Sequence, residues 1–305
     1  MIVSIVVPVY HGEKTIRLLF REIELFFKNK EYSYEVIFVW DFGPDRSWKE
    51  IEALTQEYPG IIKGIRLNRN FGQHNAIIAA FSLAIGDFIV TIDEDLQHNP
   101  HDIEILLKTQ KENDFDVVYG NYEMRRHTRF RNTTSTLIKR LIRLGIPEIF
   151  PEYSAFRLMK SHIAKETLNM QNSYTFIDGY LSWITSSFGS CEVSHSARIA
   201  GSSSYTLRKL IKHSLNIFIT FSDLPLKLVS YSSFIFLIFS IFYSLLILYR
   251  KLVLSVVIPG YSSTIILLSM GFGLVLFALG VIGEYIHRIN QKTTKRPNFI
   301  INKII

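Results

Sequence analysis

The chain has 305 residues, 48% of them hydrophobic, and its formal net charge is +7. The mean hydropathy of +0.18 is high for a soluble protein and low for a polytopic one, which indicates a soluble part joined to a membrane part. The basic balance fits an anionic membrane surface or nucleic acid, whereas the single Cys191 excludes an internal disulfide and fits a reducing compartment.

Strand-like and helix-like patterns alternate through the N-terminal part of the chain. The segment Ile2–Val9 is apolar but lacks the basic n-region of a signal peptide, so we expect it to form the first strand. Further strands are predicted at 34–40, 61–67, 88–92 and 116–119, and helices at 15–28, at 73–84 and from the turn at 41–48 through residue 54. This alternation predicts an α/β fold with a mostly parallel sheet and helices on both faces.

The fourth predicted strand ends at two aspartates with one residue between them, in the run Asp93-Glu-Asp95-Leu-Gln97. Carboxylates at the carboxyl end of a parallel strand lie where open α/β sheets bind their ligands. Two such oxygen donors suit Mg²⁺ or Mn²⁺, which binds through one or two carboxylates together with substrate phosphates. The alternative is that Asp93 and Asp95 cap the next helix, because Asn99-Pro100 opens a helical pattern.

A basic segment follows the fifth predicted strand. Its cations form either a solvated helix face or a phosphate clamp or membrane-facing patch, since arginine binds phosphate through two parallel hydrogen bonds. Nucleic-acid binding is not expected, because no recognised nucleic-acid-binding fold accompanies the segment. The cations are Arg125, Arg126, Arg129, Arg131, Lys139, Arg140 and Arg143.

The C-terminal third contains the segments that resemble membrane elements. A basic amphipathic pattern over 207–221 predicts a helix in the membrane interface. The runs 228–249 and 265–282 are apolar enough to cross a bilayer core, which needs about 20 residues. The alternative is a hairpin buried in a protein core. Basic residues flank the pair on both sides, so the positive-inside rule predicts that the N-terminal part and both termini are cytoplasmic.

Taken together, these motifs resemble the family 2 glycosyltransferases with the GT-A fold. Among them, the chain is most similar in pattern to the polyisoprenyl-phosphate enzymes, which include the dolichol-phosphate mannose synthase-like and bactoprenol glucosyltransferase-like proteins. The resemblance covers nearly the whole chain, including both apolar runs and the tail. The matching segments are Val6-Val-Pro-Val-Tyr10, Val39-Trp-Asp41 with Asp45, Arg69-Asn-Phe-Gly72, Ile92-Asp-Glu-Asp-Leu-Gln-His98, Phe156-Arg-Leu-Met159, Arg198 with Gly201-Ser-Ser-Ser-Tyr205, and Gly283-Glu-Tyr-Ile-His-Arg288 with Lys295-Arg-Pro297.

The resemblance implies inverting transfer of a hexose from a nucleotide-sugar donor to a polyprenyl phosphate of the undecaprenyl type. The residues that it assigns to cradling the nucleotide are Pro8, Tyr10, Glu13 and Asp41. The residues that it assigns to holding Mg²⁺ or Mn²⁺ on the diphosphate are Asp93, Asp95 and Gln97. The residues that it assigns to gripping the acceptor phosphate are Arg131, Ser135 and Arg198.

The same resemblance divides the chain into five parts. We expect a cytoplasmic GT-A domain at 1–205, a juxtamembrane amphipathic helix at 206–225, transmembrane helices at 226–250 and 262–287, and a basic cytoplasmic tail at 288–305. The expected location is the inner (plasma) membrane, and relatives with such a hairpin indicate assembly into homo-oligomers through the spans.

Three positions depart from the family pattern. Trp40 stands where the family has a second acid beside Asp41, and Glu94 stands where a small residue is common. Bactoprenol-type relatives often carry an acid two residues before the Phe-Arg-Leu motif, and this acid is proposed to act as a base. This chain has Ala155 directly before that motif, and Glu152 is the candidate to replace the missing acid.

Three functions are compatible with these observations. The first is transfer of a hexose to a polyprenyl phosphate for envelope or O-antigen glycan modification. The second is extension of a lipid-linked glycan or polysaccharide by a membrane-bound enzyme of the same fold, although the basic segment favours a phosphate acceptor. The third is a non-catalytic membrane scaffold, against which the presence of Asp93, Asp95 and Gln97 argues.

Overall fold

A computed structural model describes residues 1–122, 146, 148–170, 172, 174–194, 215–222, 224–253, 260–293 and 297–305. Within these residues, eight strands form a single sheet. The strands are β1 (Ile2–Val9), β2 (Ser33–Trp40), β3 (Ile62–Leu67), β4 (Phe88–Thr91), β5 (Val117–Tyr122), β6 (Arg157–Lys160), β7 (Phe188–Val193) and β8 (Ile301–Ile304). Their order across the sheet is β7-β5-β6-β4-β1-β2-β3-β8.

The strands of this sheet are mostly parallel. Strands β4, β1, β2 and β3 run in one direction, and β5 and β7 are parallel to each other. Strand β6 is antiparallel to both of its neighbours, and β8 is antiparallel to β3. The predicted α/β class with a mostly parallel sheet is therefore confirmed.

Helices connect the strands and cover both faces of the sheet. They are α1 (Ile16–Phe27), α2 (Ser47–Glu57), α3 (Gln73–Phe81), α4 (Ile103–Asn113), α5 (Ser161–Glu166), α6 (Ile177–Ile184), α7 (Leu224–Leu252) and α8 (Tyr261–Thr293). Single 3₁₀ turns precede α4 and follow α5, and residues 215–221 are helical as well.

The alternation of side chains along the strands produces two separate core layers. In β1, Val3, Ile5 and Val7 face α1, α2 and α4, whereas Val6 faces α3, α5 and α6. Strands that are buried on both faces read as continuous apolar runs, which explains the sequence of β1 and β2. Helix α1 shows the complementary pattern, because its buried residues recur every three or four positions.

Strands β6, β7 and β8 were not predicted from the sequence. Strands β6 and β8 have four residues each and β7 has six, so their periodicity gives a weak signal. The predicted tail at 288–305 therefore contains an edge strand of the sheet. The helix predicted at 73–84 is shorter than expected, since α3 ends at Phe81 and a turn follows.

Two helices of the described part of the chain are long and apolar enough to cross a membrane. Their apolar windows are Leu224–Tyr243 and Met270–Asn290, with mean hydropathies of 1.7 and 1.6. Only 6% and 0% of these windows are buried, so the alternative of a hairpin inside a protein core is wrong. The amphipathic helix predicted at 206–225 lies mostly outside the described residues.

Candidate active site

The candidate site lies at the carboxyl ends of β4, β1 and β2. These three strands are neighbours and run parallel, so the turns that follow them meet at one edge of the sheet. This is the edge at which open α/β sheets bind ligands. The turns comprise residues 92–97, 10–13 and 41–46, and they contain most of the described candidate residues.

The turn after β4 holds the two predicted metal-binding aspartates. Oδ1 of Asp95 accepts a hydrogen bond from the backbone N–H of Gln97 at 3.2 Å. Leu96 has left-handed backbone (φ 59°), which costs a non-glycine residue about 1–2 kcal/mol. The next helical segment is capped by Asn99, whose Oδ1 accepts from the N–H of His101 at 3.0 Å. The structure therefore does not support the alternative that the aspartates are the helix cap.

Glu94 joins the turn after β4 to the loop after β1. Its Oε2 accepts from the backbone N–H of Tyr10 at 3.0 Å, and its Oε1 accepts from that of His11 at 2.9 Å. Burial raises the pKa of Glu94 to about 7; the two amide hydrogen bonds oppose this shift, and the charges of Asp45 and Asp93 add to it. Sequence reasoning noted Glu94 only as a departure and did not anticipate these contacts.

The loop after β1 is also bonded to the turn after β2. The N–H of Gly12 donates to Oγ of Ser47 at 2.9 Å, and the N–H of Glu13 donates to Oδ2 of Asp45 at 3.1 Å. The carboxylate of Glu13 accepts in return from the N–H of Arg46 at 3.2 Å. These contacts explain why Glu13, although exposed, has a defined position at the site.

Gly43 allows the backbones of these two loops to approach each other closely. A Cβ at this position would lie 1.7 Å from the carbonyl oxygen of Tyr10. Any larger residue would therefore separate the two loops. Pro8 is buried in β1, opposite Val39 of β2, whereas the Tyr10 side chain is 42% exposed at the rim of the site.

Both carboxylate oxygens of Asp41 accept hydrogen bonds from backbone N–H groups. Oδ1 accepts from the N–H of Phe71 at 2.7 Å, and Oδ2 accepts from that of Gly72 at 2.8 Å. The side chain is buried, and this burial raises the pKa of Asp41 to about 6 against the opposing effect of the two amides. The structure thus gives Asp41 a role in holding the turn before α3.

Gln73, the first residue of α3, was not assigned a role from the sequence. Its Nε2 donates to Oδ1 of Asp93 at 2.7 Å. This hydrogen bond orients the carboxylate of Asp93. The available sequence signal was the position of Gln73 directly after Gly72 at the start of a helix.

Trp40, which replaces the first of the two paired acids in the family pattern, is a core residue. Its ring packs 6.1 Å from that of Trp48, and the guanidinium of Arg66 lies 5.2 Å above it. The side chain is 7% exposed and belongs to the core layer formed with α1, α2 and α4. An apolar side chain at this position therefore stabilises the end of β2.

The remaining candidates lie on the other side of β6 or outside the described residues. Glu152 accepts hydrogen bonds from Nδ2 of Asn121, at 3.3 Å, and from Oγ of Ser190. Both partners belong to β5 and β7, so Glu152 lies beside these strands. Arg131, Ser135, Arg198 and the basic segment from Arg125 to Arg143 lie outside the described residues.

The chemistry of the acidic turn fits a divalent cation. Asp93 and Asp95 provide carboxylate oxygens on one short turn, and Gln97 adds an amide oxygen. Within the described ranges, no group of three His, Cys, Asp or Glu side chains is arranged to enclose a metal ion. An incomplete set of protein ligands is what Mg²⁺ and Mn²⁺ use when substrate phosphates complete the coordination.

Comparison with solved structures agrees with the GT-A fold. Glucosyl-3-phosphoglycerate synthase from Mycobacterium tuberculosis, crystallised with UDP, has a TM-score of 0.51 and 15% sequence identity. The match covers 72% of this chain and 78% of that protein. Another structure of the same enzyme contains Mn²⁺, UDP-glucose and phosphoglyceric acid, and its TM-score is also 0.51. At this level of identity the likeness shows the fold alone.

Sequence comparisons extend over almost the whole chain. The uncharacterized glycosyltransferase YkcC of Bacillus subtilis is 35% identical over 98% of this chain and 93% of its own length. An undecaprenyl-phosphate 4-deoxy-4-formamido-L-arabinose transferase of Proteus mirabilis is 31% identical over 99% of this chain and 94% of its own length. The model of the family described as Glycosyl transferase family 2 matches residues 4–172. The acidic strand-end site, the GT-A sheet and these matches together establish that the chain belongs to glycosyltransferase family 2.

Proposed function

We propose that the protein transfers a hexose from a nucleotide-sugar donor to a polyprenyl phosphate of the undecaprenyl type. The transfer takes place at the cytoplasmic face of the inner membrane and inverts the configuration at the anomeric carbon of the sugar. The product serves envelope or O-antigen glycan modification. The observation that carries the proposal is the meeting of the acidic turn at 93–97 with the loop at 10–13 at one sheet edge. The undecaprenyl-phosphate transferases that match 99% of the chain support the choice of acceptor.

On the donor side, the side chains of three turns would hold the nucleoside diphosphate. Tyr10 and Glu13 border the site after β1, and Pro8 shapes the end of that strand. Asp41 contributes by fixing the turn at Phe71 and Gly72, because both of its oxygens bond to that turn. This arrangement supports nucleotide binding between the ends of β1 and β2.

The metal would be held by the acidic turn. Asp93, Asp95 and Gln97 are the proposed ligands, and Gln73 orients the first of them. When bound, Mg²⁺ or Mn²⁺ neutralises charge on the departing nucleoside diphosphate. These side chains thereby fix where the diphosphate lies relative to the sugar.

On the acceptor side, an oxygen of the lipid phosphate forms the new bond to the anomeric carbon while the bond to the nucleoside diphosphate breaks. A phosphate monoester has a second pKa of about 6, so it is already mostly ionised at neutral pH and needs little help from a base. Arg131, Ser135 and Arg198 are the proposed partners of this phosphate. Glu152 is the proposed base, in a secondary role.

A lipid acceptor explains why the GT-A domain is joined to two apolar helices. We propose that α7 and α8 cross the membrane as a hairpin and that residues 1–205 and both termini are cytoplasmic. Residues 206–225 would lie in the interface, and the spans themselves would occupy 226–250 and 262–287. Their near-complete exposure supports contact with lipid or with other copies of the hairpin, through which the protein would form homo-oligomers.

The proposal is tested with the purified protein, undecaprenyl phosphate, Mg²⁺ or Mn²⁺ and a panel of radiolabelled nucleotide sugars. Label should move into the organic phase with one donor, and EDTA should abolish the transfer. Asp95→Asn should lower transfer by more than about a hundredfold, since a metal ligand contributes several kcal/mol of charge stabilisation. Asn at this position keeps the oxygen that accepts from Gln97, so the turn itself is preserved.

Asp114→Asn is the matched control, because Asp114 is exposed at the C-terminus of α4 and distant from the acidic turn along the sheet. Its transfer rate should equal that of the wild type. Full activity of Asp95→Asn would contradict the metal assignment. Nucleotide binding without transfer to the lipid would indicate a glycan acceptor, and absence of nucleotide binding would favour the scaffold.

A further inference from the structure

In the loop after β1, the backbone N–H of every residue from Tyr10 to Glu13 donates a hydrogen bond to a side chain. Four consecutive N–H groups donate to side-chain oxygens of the two neighbouring strand ends. The first two donate to Glu94 beyond β4, and the next two donate to Ser47 and Asp45 beyond β2. These four amides are therefore committed within the protein, and the loop does not offer them to a phosphate in the manner of an anion-binding nest.

We propose that Glu94 is a positioning residue that fixes the loop at 10–13 against the metal-binding turn and thereby sets the affinity for the donor diphosphate. This inference rests on the proposed function and deepens it, because it names the contact that joins the nucleotide side of the site to the metal side. Glu94 itself does not touch the reacting atoms in this assignment.

The geometry of the contact requires a carboxylate at this position. Each oxygen of Glu94 accepts one of two successive amides, so the group holds the loop at two points and fixes its orientation as well as its distance. A glutamine offers one oxygen and one NH₂ group, and that NH₂ would face an N–H donor. A side chain without acceptors would remove both hydrogen bonds and release the loop from the turn after β4.

Gly12 makes room for this carboxylate. A Cβ on Gly12 would lie 2.7 Å from Oε2 of Glu94, closer than side-chain atoms approach one another. The sequence therefore pairs a long acid between Asp93 and Asp95 with a residue that lacks a side chain on the facing loop. The same Cβ would lie 2.8 Å from Cγ1 of Ile16, so Gly12 leaves space for both side chains, and the close approach of Glu94 supports a positioning role.

The link through Glu94 differs from the links on the other side of the loop. Ser47 and Asp45 tie the loop to the turn after β2 through hydrogen bonds that do not involve Glu94. The loop should then stay folded but lose its fixed relation to Asp93 and Asp95. The expected defect is weaker binding of the metal–diphosphate group, with little change in the rate once the donor is bound.

The test compares Glu94→Gln and Glu94→Asp with the wild type in the full-length, detergent-purified protein. Glu94→Gln should raise the KM for the donor about tenfold, which corresponds to about 1.4 kcal/mol, with kcat within about threefold of the wild type. Glu94→Asp keeps the charge but is one methylene shorter, so it should restore part of the donor affinity. Thermal unfolding of each variant checks that it is folded.

Two further measurements do not depend on turnover. Amide hydrogen exchange in a peptide covering residues 9–16 should be faster in Glu94→Gln, because two of its amides lose their fixed acceptor. Binding of UDP, GDP and CDP in the presence of Mn²⁺, measured by calorimetry, should weaken by the same factor as the KM. Both readouts test Glu94 even if the wild type transfers no sugar to undecaprenyl phosphate, so failure of the proposed function is distinguishable from failure of this inference.

Glu35→Gln is the matched control. Glu35 is a more deeply buried glutamate that accepts a backbone N–H, from Ile85 at 2.8 Å, and pairs with Lys63 at 2.7 Å, but it lies near the opposite end of the sheet. This variant should lower stability without changing donor KM or exchange in residues 9–16. Wild-type values of KM and exchange in Glu94→Gln would overturn the inference, as would a fall in kcat at unchanged KM.

Discussion

Asp41 and Asp178 are both buried aspartates, but their partners differ in charge. Asp178 contacts the guanidinium of Arg157 and accepts from the hydroxyl of Tyr119 at 3.0 Å, so its charge is balanced inside the core. Asp41 is held by the amides of Phe71 and Gly72, which are neutral dipoles. Burial raises the pKa of both carboxyl groups against the opposing effect of these partners, and the pKa of Asp41 rises to about 6.

This shift predicts a specific pH dependence of stability. Because the folded-state pKa of Asp41, about 6, exceeds its ordinary value of 3.8, the folded protein binds the proton more tightly than the unfolded chain. The associated stabilisation is complete below about pH 4 and is lost as the pH rises through about 6, with a total of about 3 kcal/mol. Asp41→Asn cannot ionise, so its melting temperature relative to the wild type should increase between pH 4.5 and pH 7.5.

The measurement is thermal unfolding followed by tryptophan fluorescence, since Trp40 and Trp48 lie in the same core layer as the end of β2. Asp114→Asn serves as the control for the loss of one carboxylate, since Asp114 is exposed and pairs with Lys160 at the surface. A constant difference between Asp41→Asn and the wild type across the range would show that Asp41 does not titrate in this window.

At the scale of secondary-structure elements, the C-terminal strand β8 completes one edge of the catalytic sheet. Gly64 of β3 both donates to and accepts from Ile305 at 2.9 Å, and the N–H of Asn68 donates to the carbonyl of Ile300 at 3.0 Å. Ile305 packs against one core layer and Ile301 against the other. The strand therefore covers β3 and returns the chain from α8 to the catalytic domain.

Removing residues 299–305 should destabilise the catalytic domain. The deletion exposes the edge of β3 and removes three partly buried apolar residues, Phe299, Ile301 and Ile305, which together contribute about 2–4 kcal/mol. For a domain of this size the melting temperature should fall by about 5–15 °C. Lys303→Ala is the matched control within β8, since it removes only an exposed ion pair with Glu52 and should change the melting temperature very little. An unchanged melting temperature in the truncated protein would mean that the pairing does not stabilise the domain.

The sequence predicted the elements whose patterns are long and local. Strands β1 to β5 and helices α1 to α3 follow from apolar runs and helical periodicity, because their burial repeats along the chain itself. Strands β6 and β8 are four residues long, and their burial depends on which neighbours the sheet supplies. Tertiary pairing therefore decides their conformation, and a short sequence window does not contain that information.

The same distinction separates the parts of the site. Asp93 and Asp95 were predicted as metal ligands because their position after a buried strand places them at the ligand-binding edge of an α/β sheet. The roles of Glu94 and Gln73 depend instead on which strand ends and helices lie next to β4. That order is set by the sheet topology. In the sheet β4 is next to β1, although α1, β2, α2, β3 and α3 lie between them in the sequence.

At the scale of the whole molecule, residues 215–222 connect the catalytic domain to α8. Phe221 packs against the rings of Phe176 and Trp183, at 5.9 and 4.8 Å between centroids. On the other side of this short helix, Arg288 of α8 donates to Oγ1 of Thr220 at 2.6 Å, and the hydroxyl of Tyr285 donates to the carbonyl of Ser222 at 2.7 Å. The catalytic domain is thereby joined to the C-terminal part of α8 through one short helix.

Arg288→Ala should lower the rate of transfer to the lipid without changing the affinity for the donor nucleotide. Arg288 contacts Thr220, Asn216 and Glu284, so its removal loosens the junction without reaching the acidic turn. Transfer to undecaprenyl phosphate should fall about tenfold, because a loosened junction holds the lipid phosphate less accurately in line with the donor. Binding of nucleoside diphosphate with Mn²⁺ should keep its wild-type affinity.

Arg17→Ala provides the comparison, since Arg17 also makes several charged contacts, with Glu50 and Glu57, but joins α1 to α2 on the surface of the catalytic domain. It should leave both transfer and nucleotide binding unchanged. Equal losses of transfer and nucleotide affinity in Arg288→Ala would instead indicate a general loss of stability. A selective loss of lipid transfer would support the proposal that the short helix at 215–222 aligns the donor site with an acceptor held by the membrane.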